Sequence, residues 1–296
     1  MNNAKEQRAI EYLRMFEPEE EPYHLCYSGG KDSDCIRILA QLAGVRHEIH
    51  HNLTTVDAPE TVQYIKSIPN VMIDYPKISM WRLIVKKMMP PTRVVRYCCS
   101  ELKERGGQGR LKITGVRWAE SNRRKESSGI VRITGKPKTI QGKAEENGLN
   151  YRVNSQGSLI LNDDNDESRR FVEYCYRTTS TMVNPIVDWE DKDVWEFLHY
   201  YGCKGNPLYQ CGETRIGCIG CPMQGPKGMK RDFQRYPIYR DNYIKAFDRM
   251  LLERKKAGKE TTSSWETGED VMRWWVGDDP AQITIDNYMK IMRDQR

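Results

Sequence analysis

The chain has 296 residues, with 47 Lys and Arg against 41 Asp and Glu and a formal charge of +6. That length suits one large α/β domain, or one domain with an appended subdomain, and the mildly basic balance suits a nucleotide, a sulfonucleotide or a nucleic acid backbone. No run of about eighteen apolar residues occurs and the opening Met-Asn-Asn-Ala-Lys-Glu-Gln has no apolar signal core, so the expectation is a cytoplasmic protein without membrane association.

Residues 4–16 bring Ile10, Leu13 and Met15-Phe16 near one helical face, a packing helix ahead of the first strand. From His24 to Leu39 a short apolar run passes through Ser28-Gly29-Gly30-Lys31-Asp32-Ser33 into an amphipathic segment, which predicts a strand, a tight turn and a helix. Such a turn is a phosphate site. Two glycines let the backbone approach an anion, the helix N-terminus points its N–H groups at it, and Ser28, Lys31 and Ser33 add side-chain donors. The Walker A spacing is absent.

These six residues resemble the Ser-Gly-Gly-x-Asp-Ser signature of the PP-loop ATP pyrophosphatases. The resemblance implies an adenine nucleotide, ATP or a sulfonucleotide such as PAPS or APS, held by Ser28, Gly29, Gly30, Lys31, Asp32 and Ser33. It also implies Mg²⁺, catalytic roles for Lys31 and Asp32, and chemistry that divides the α- from the β-phosphorus.

His47–Leu53 reads as a second strand ending at Thr54-Thr55-Val56-Asp57, with Pro59-Glu60-Thr61 opening a helix that Asp57 can cap. His47, His50 and His51 are read as strand and edge residues, because neighbours in a strand face opposite ways. The PAPS and APS reductases carry Asp-Thr-Gly at this strand end; by that resemblance Asp57 and Glu60 border the adenosine pocket. Val71–Tyr75 is a third short strand, and Met80–Met89 a helix stopped by Pro90-Pro91. In Arg96-Tyr97-Cys98-Cys99-Ser100-Glu101-Leu102-Lys103, resemblance to the same reductases implies a cluster cysteine and a lysine, Lys103, that helps place a phosphate or sulfate.

Leu111–Arg117 reads as a fourth strand. With Glu120, Ser121 and Arg124 it resembles the family's Gly-x-Arg-x-x-Glu-Ser-x-x-Arg, which implies close approach of the nucleotide at Gly115, a binding role for Glu120, and catalytic cations in Arg117 and Arg124. Residues 125–180 differ in character: short strands, a lysine-rich tract and a mobile acidic loop, Asn162–Glu167, form an inserted β-rich segment. That loop lacks the EF-hand glycine and glutamate, which excludes a calcium loop of that kind. Order restarts at Asn184, with Asp188 expected to cap a helix carrying Val194, Trp195 and Leu198, and Asn206-Pro207-Leu208-Tyr209 following as a turn.

Cys211-x₆-Cys218-x₂-Cys221-Pro222 is the strongest metal signal. With Cys98 it makes four thiolates, enough for a [4Fe-4S] cluster, and a structural zinc fits four thiolates equally well. Two resemblances differ over the ligands. APS reductases pair adjacent cysteines with Cys-x-x-Cys, implying Cys98, Cys99, Cys218 and Cys221. The DNA phosphorothioation proteins of the superfamily resemble the longer spacing, implying Cys211. The favoured set is Cys98, Cys211, Cys218 and Cys221, with Cys99 as the alternative fourth ligand. Beyond residue 222, aromatic and basic residues alternate through Phe233, Tyr236, Tyr239, Arg240, Tyr243, Trp265, Trp274 and Trp275, a pattern that helical packing explains more cheaply than nucleic acid binding.

The expected architecture is a doubly wound parallel α/β sheet of the adenine nucleotide alpha hydrolase-like type over 1–222, interrupted at 125–180, with a helical C-terminal subdomain over 223–296. The expected function is ATP pyrophosphatase chemistry beside an iron-sulfur cluster in sulfur transfer or thio-modification, with a cysteine desulfurase, a thioredoxin-like donor or a nucleic acid as partner. A sulfite-forming PAPS/APS reductase is the alternative, and no cysteine follows Cys221 to serve as its tail nucleophile. A non-catalytic nucleotide- or nucleic-acid-binding module is the third reading.

Overall fold

The computed structural model describes residues 3–259 and 265–278. In chain order its first elements are α1 (Asn3–Met15), β1 (Tyr23–Cys26), α2 (Lys31–Ala43), β2 (His47–Asn52), α3 (Pro59–Ser67), β3 (Val71–Asp74), α4 (Met80–Lys87) and β4 (Lys112–Ile113). Next come α5 (Asn122–Ser127), β5 (Val131–Thr134), α6 (Pro137–Glu146), β6 (Tyr151–Val153), β7 (Leu159–Leu161), α7 (Asp166–Cys175), β8 (Ser180–Val183) and α8 (Asp191–Tyr200). Three helices follow, α9 (Gly225–Arg235), α10 (Pro237–Lys256) and α11 (Gly268–Trp275).

The chain divides into two compact units. The first comprises residues 1–52, 59–75 and 105–216, and carries an eight-stranded sheet in the order β3-β2-β1-β4-β8-β5-β7-β6. β3, β2, β1, β4 and β8 run parallel; β5, β7 and β6 add an antiparallel edge. The strand order reverses between β1 and β4, the topological switch point at which doubly wound sheets open a crevice for ligands. Side chains from one sheet face, among them Leu25, Ile113, Val131, Leu161 and Val183, pack with Ile36, Leu39 and Phe197 of the helices into one core. Each fully buried side chain of this size contributes roughly 1.5–3 kcal/mol.

The inserted segment is more regular than its composition suggests. The lysine-rich tract is helix α6, with Pro137 supplying the fixed φ of a first helical residue. Only the end of the acidic stretch is helical: Asn165 accepts from the Ser168 N–H at 2.9 Å and caps α7, whose first turn places Asp166 and Glu167 at the positive helix end. The cap of α8 also differs from expectation. Glu190 rather than Asp188 precedes its first residue, and the Glu190 N–H donates to Asp193 at 2.8 Å. Asp188 instead pairs with Arg8 of α1. The fourth strand is two residues long, because the chain beyond Ile113 turns toward the start of α2.

The second unit comprises residues 53–58, 76–104 and 217–296. Here α10 packs against α4 and α11. The aromatic residues of the C-terminal segment make its core: Phe233, Tyr243, Phe247 and Trp275 are buried in mutual edge and tilted contacts. This is the packing reading of the aromatic and basic alternation, although 260–264 and 279–296 of the expected subdomain lie outside the described residues.

Candidate active site and thiol centre

In the first unit β1 ends at Cys26 and α2 begins at Lys31, so Tyr27–Gly30 make the turn beside the switch point. Gly29 has φ +72°, and a Cβ there would stand 2.9 Å from Ile65 of α3. Only glycine combines that left-handed backbone with so close an approach. The Gly30 N–H donates to Ser33 Oγ at 3.1 Å, and that hydroxyl donates back to the Gly30 carbonyl at 2.7 Å. Ser28 Oγ lies 3.3 Å from Ser33 Oγ. Ser28, Gly29, Gly30, Lys31, Asp32 and Ser33 therefore form one connected phosphate-sized turn at a helix N-terminus.

Residues without an assigned role in the sequence complete this turn. Asn206 Nδ2 donates to the Gly29 carbonyl at 3.0 Å and to Thr61 Oγ1 at 3.1 Å, fixing the loop against α3. The Lys31 N–H donates to the Tyr209 hydroxyl at 2.9 Å. Burial pushes the Tyr209 pKa up, so its hydroxyl keeps a proton to offer an anion. The Asn-Pro-Leu-Tyr turn was the available signal for both residues, but nothing in its composition told which loop it would meet.

Lys31 Nζ lies 3.4 Å from Asp191 and 3.7 Å from Asp32. Arg117 is 2 % exposed and each of its side-chain nitrogens is engaged: Nε donates to Asp32 at 2.7 Å, one terminal nitrogen to Asp191 at 2.6 Å, and the other to the Trp189 carbonyl at 3.1 Å. The sequence gives this arginine to a phosphate or sulfate; in the structure it positions Asp32 and Asp191. Burial opposes the charge on Asp191, yet Arg117 and Lys31 together hold its carboxyl below the usual range. A Cβ on Gly115 would stand 2.9 Å from the Asp32 carbonyl, so the chain after β4 passes this tightly only as glycine. Arg124 of α5 pairs with Glu120 at 3.2 Å. Such a pair is worth under about 1 kcal/mol and costs little to exchange for a ligand.

The second unit gathers thiols. Cys99–Lys103 form a π-helical turn, a geometry frequent at functional sites. A hydrogen bond from Cys98 is the main cause drawing the Cys99 pKa down, with Arg96 and Lys103 assisting, and the same bond raises Cys98. Cys218 and Cys221 join the group: both further oppose ionisation of Cys98. Burial raises Cys218, Lys103 counters it, and Cys218 in turn is the largest influence raising Lys103. The Cys218 thiol donates to Thr54 Oγ1 at 3.5 Å, and its backbone bridges to Asp57.

Asp57 accepts from the Thr54 N–H at 2.7 Å and its carbonyl accepts from Tyr239 at 3.2 Å. Its carboxylate thus folds the 54–57 turn instead of capping α3. Glu60 lies in the other unit, as does the exposed Cys211. Cys35 is a core thiol, whereas Cys26 is only half-buried, with its pKa pushed up to about 11 by desolvation.

No three His, Cys, Asp or Glu side chains among the described residues are spaced to hold a single metal ion. Cys98, Cys99, Cys218 and Cys221, from two segments of the second unit, influence one another's ionisation together with Lys103 and Arg96.

Comparison with known proteins decides the family. Residues 22–224 match the model of the phosphoadenosine phosphosulfate reductase domain. The chain belongs to that family. An uncharacterised protein of Methanocaldococcus jannaschii is 23 % identical over 245 residues, 81 % of this chain and 51 % of that protein. The adenosine 5′-phosphosulfate reductase of Bacillus thuringiensis is 32 % identical over 89 residues, 30 % of this chain and 38 % of that enzyme. The matched stretches thus span about half or less of these relatives' own lengths. Among solved structures, the phosphoadenylyl-sulfate reductase of Candida auris aligns with a TM-score of 0.43 and 15 % identity, over 71 % of this chain and 87 % of that one.

Proposed function

We propose that this family member is a nucleotide-cleaving enzyme: the Ser28–Ser33 turn takes the phosphates of ATP, and reaction at the α-phosphorus releases pyrophosphate. We further propose that Cys98, Cys99, Cys218 and Cys221 hold a [4Fe-4S] cluster, and that the activated product enters sulfur transfer or thio-modification. The observation that carries the first reading is the turn itself, where Gly29 and Gly30 bare the backbone at the α2 N-terminus with Lys31, Ser33 and Tyr209 around it.

The residues divide the work. The helix N-terminus and the Tyr209 hydroxyl favour negative charge at the phosphates. Lys31 exchanges its carboxylate partners for the leaving pyrophosphate, while Asp32 stays oriented by Arg117. An acceptor oxygen attacks the α-phosphorus, the bond to the bridging oxygen breaks, and its electron pair leaves with pyrophosphate. Mg²⁺, when bound, would neutralise phosphate charge, and the cluster would supply electrostatic or electron-transfer chemistry. A cysteine desulfurase as sulfur source and a nucleic acid as acceptor fit this reading.

The reductase reading has its own support, the family match and the Bacillus relative. There a thiol of a thioredoxin-like dithiol donor attacks the sulfonucleotide sulfur and expels the nucleoside phosphate, and the donor's second thiol then displaces sulfite from the S-sulfonate as the donor disulfide forms.

Anaerobic purification with iron and sulfide analysis, followed by separate assays with ATP, APS and PAPS, tests both. Pyrophosphate from ATP, lost in Lys31→Ala and Asp32→Ala, supports the first reading. Sulfite from APS or PAPS without pyrophosphate from ATP replaces it with the second. Unchanged pyrophosphate release in Asp32→Ala removes the turn from the mechanism.

A further inference from the structure

Away from the nucleotide turn, the first unit contains a cavity of about 550 Å³. Helix α2 contributes Arg37, α3 contributes Tyr64, and the segment after α8 contributes Tyr201, Cys203 and Lys204. Ile38 and Ile68 make part of its wall apolar. This volume is that of a small-molecule site, with an apolar body and a few convergent polar groups.

Arg37 carries the argument. Its side chain is only 13 % exposed, its buried Nε has no hydrogen-bond partner, and the side chain makes no hydrogen bond to any described residue. The nearest carboxylate, Asp34, is 3.8 Å away. Asp34 is a poor counter-ion: it is fully buried, burial raises its pKa, and it already accepts from Tyr27 at 2.7 Å and Tyr64 at 2.9 Å. A largely buried guanidinium is stabilised by a planar anion that takes its forked donors. Here such a fork lines a cavity that also carries an exposed lysine and two tyrosine rings.

We propose that this cavity binds a small organic anion, a phosphomonoester or carboxylate on a flat or apolar body. The anionic group meets Arg37 and Lys204, and the body lies against Tyr64 and Tyr201. Nothing in the nucleotide turn is required for this binding.

Cys203 makes the site separately readable, since its thiol lies in the wall with the Tyr64 hydroxyl 3.9 Å away. Alkylation of the full-length protein by iodoacetamide, mapped to Cys203 by peptide mass spectrometry, is followed with AMP, phthalate and adenosine. AMP or phthalate is expected to slow the Cys203 reaction at least fivefold and saturably, in the wild type and in Lys31→Ala alike, whereas adenosine does not. Arg37→Gln should weaken that protection at least tenfold. Lys204→Ala, at an exposed position that leaves the fold intact, should weaken it severalfold and decides the matter if Arg37→Gln does not fold. Failure of both anions to protect Cys203, equal protection by adenosine, or protection unchanged in the variants overturns the proposal.

Discussion

The Ser28–Ser33 turn and the thiol group of the second unit are both places built around negative charge, but they are completed in opposite ways. Around the turn, protein groups already satisfy one another: Ser33 and Gly30 exchange hydrogen bonds, Asn206 and Tyr209 brace the loop, and Arg117 joins Asp32 to Asp191. Around the thiols, one hydrogen bond raises Cys98 and lowers Cys99, and burial raises Cys218, so these groups oppose one another's ionisation. The turn is preorganised for a ligand that comes and goes. Under the proposed cluster reading the thiol group takes a resident one, whose binding energy would be part of the unit's folding energy.

That contrast predicts the largest effect at the cysteines. Cys218→Ser should reduce iron from about four per chain to near none, and lower the unfolding temperature of the loaded protein while the nucleotide turn keeps its affinity for ATP. Iron content unchanged in Cys218→Ser would remove this cysteine from the ligand set. Next comes the buried fork. Arg117→Met leaves Asp32 and the more exposed Asp191 with Lys31 alone, at a cost of about 2 kcal/mol in denaturant unfolding, with iron retained. A loss below 1 kcal/mol would show that Arg117 does not organise the site.

A smaller effect separates the turn's own bracing from ligand binding. Tyr209→Phe removes the acceptor of the Lys31 N–H and one donor to phosphate, leaving the ring packed on Trp195 at 5.1 Å. Nucleotide affinity should fall about tenfold, the worth of one hydrogen bond to a charged group, with little change in stability. Tighter binding in Tyr209→Phe would mean instead that the hydroxyl competes with the phosphate for the amide.

How far the sequence reached follows the same division. Ser28–Ser33, the strand before it and the helix after it were legible because glycine, serine and apolar periodicity act locally. Arg117 was legible as a residue but its partners were not, since Asp32 and Asp191 lie 85 and 74 positions away. Tyr209 and Asn206 sat in a noticed turn whose target was 178 and 177 residues distant. The acidic stretch misled for the opposite reason: its charges read as solvation, while a single asparagine one residue upstream of α7 made the last of them a helix start. Cys99 and Cys211 could not be ranked by spacing alone.

The last prediction concerns a residue outside both regions and serves as their control. His24 of β1 is 2 % exposed, stacks on His50 of β2 at 4.1 Å, and neither ring nitrogen has a hydrogen-bond partner. Burial first, then His50, Arg110 and Lys112, lower its pKa to about 3, with Glu48 opposing. An unfolded histidine titrates near 6.5. Between those values the unfolded chain binds a proton that the folded chain refuses, so stability must fall as pH drops from about 6.5 toward 3, by up to ~1.4 kcal/mol per unit. Above 6.5 the ring is neutral in both states and contributes no slope. His24→Leu should flatten this part of the stability profile without moving iron content or nucleotide affinity. If the slope persists in His24→Leu, the acid sensitivity of the fold arises elsewhere, and the carboxylates held by Arg117 become the groups to titrate.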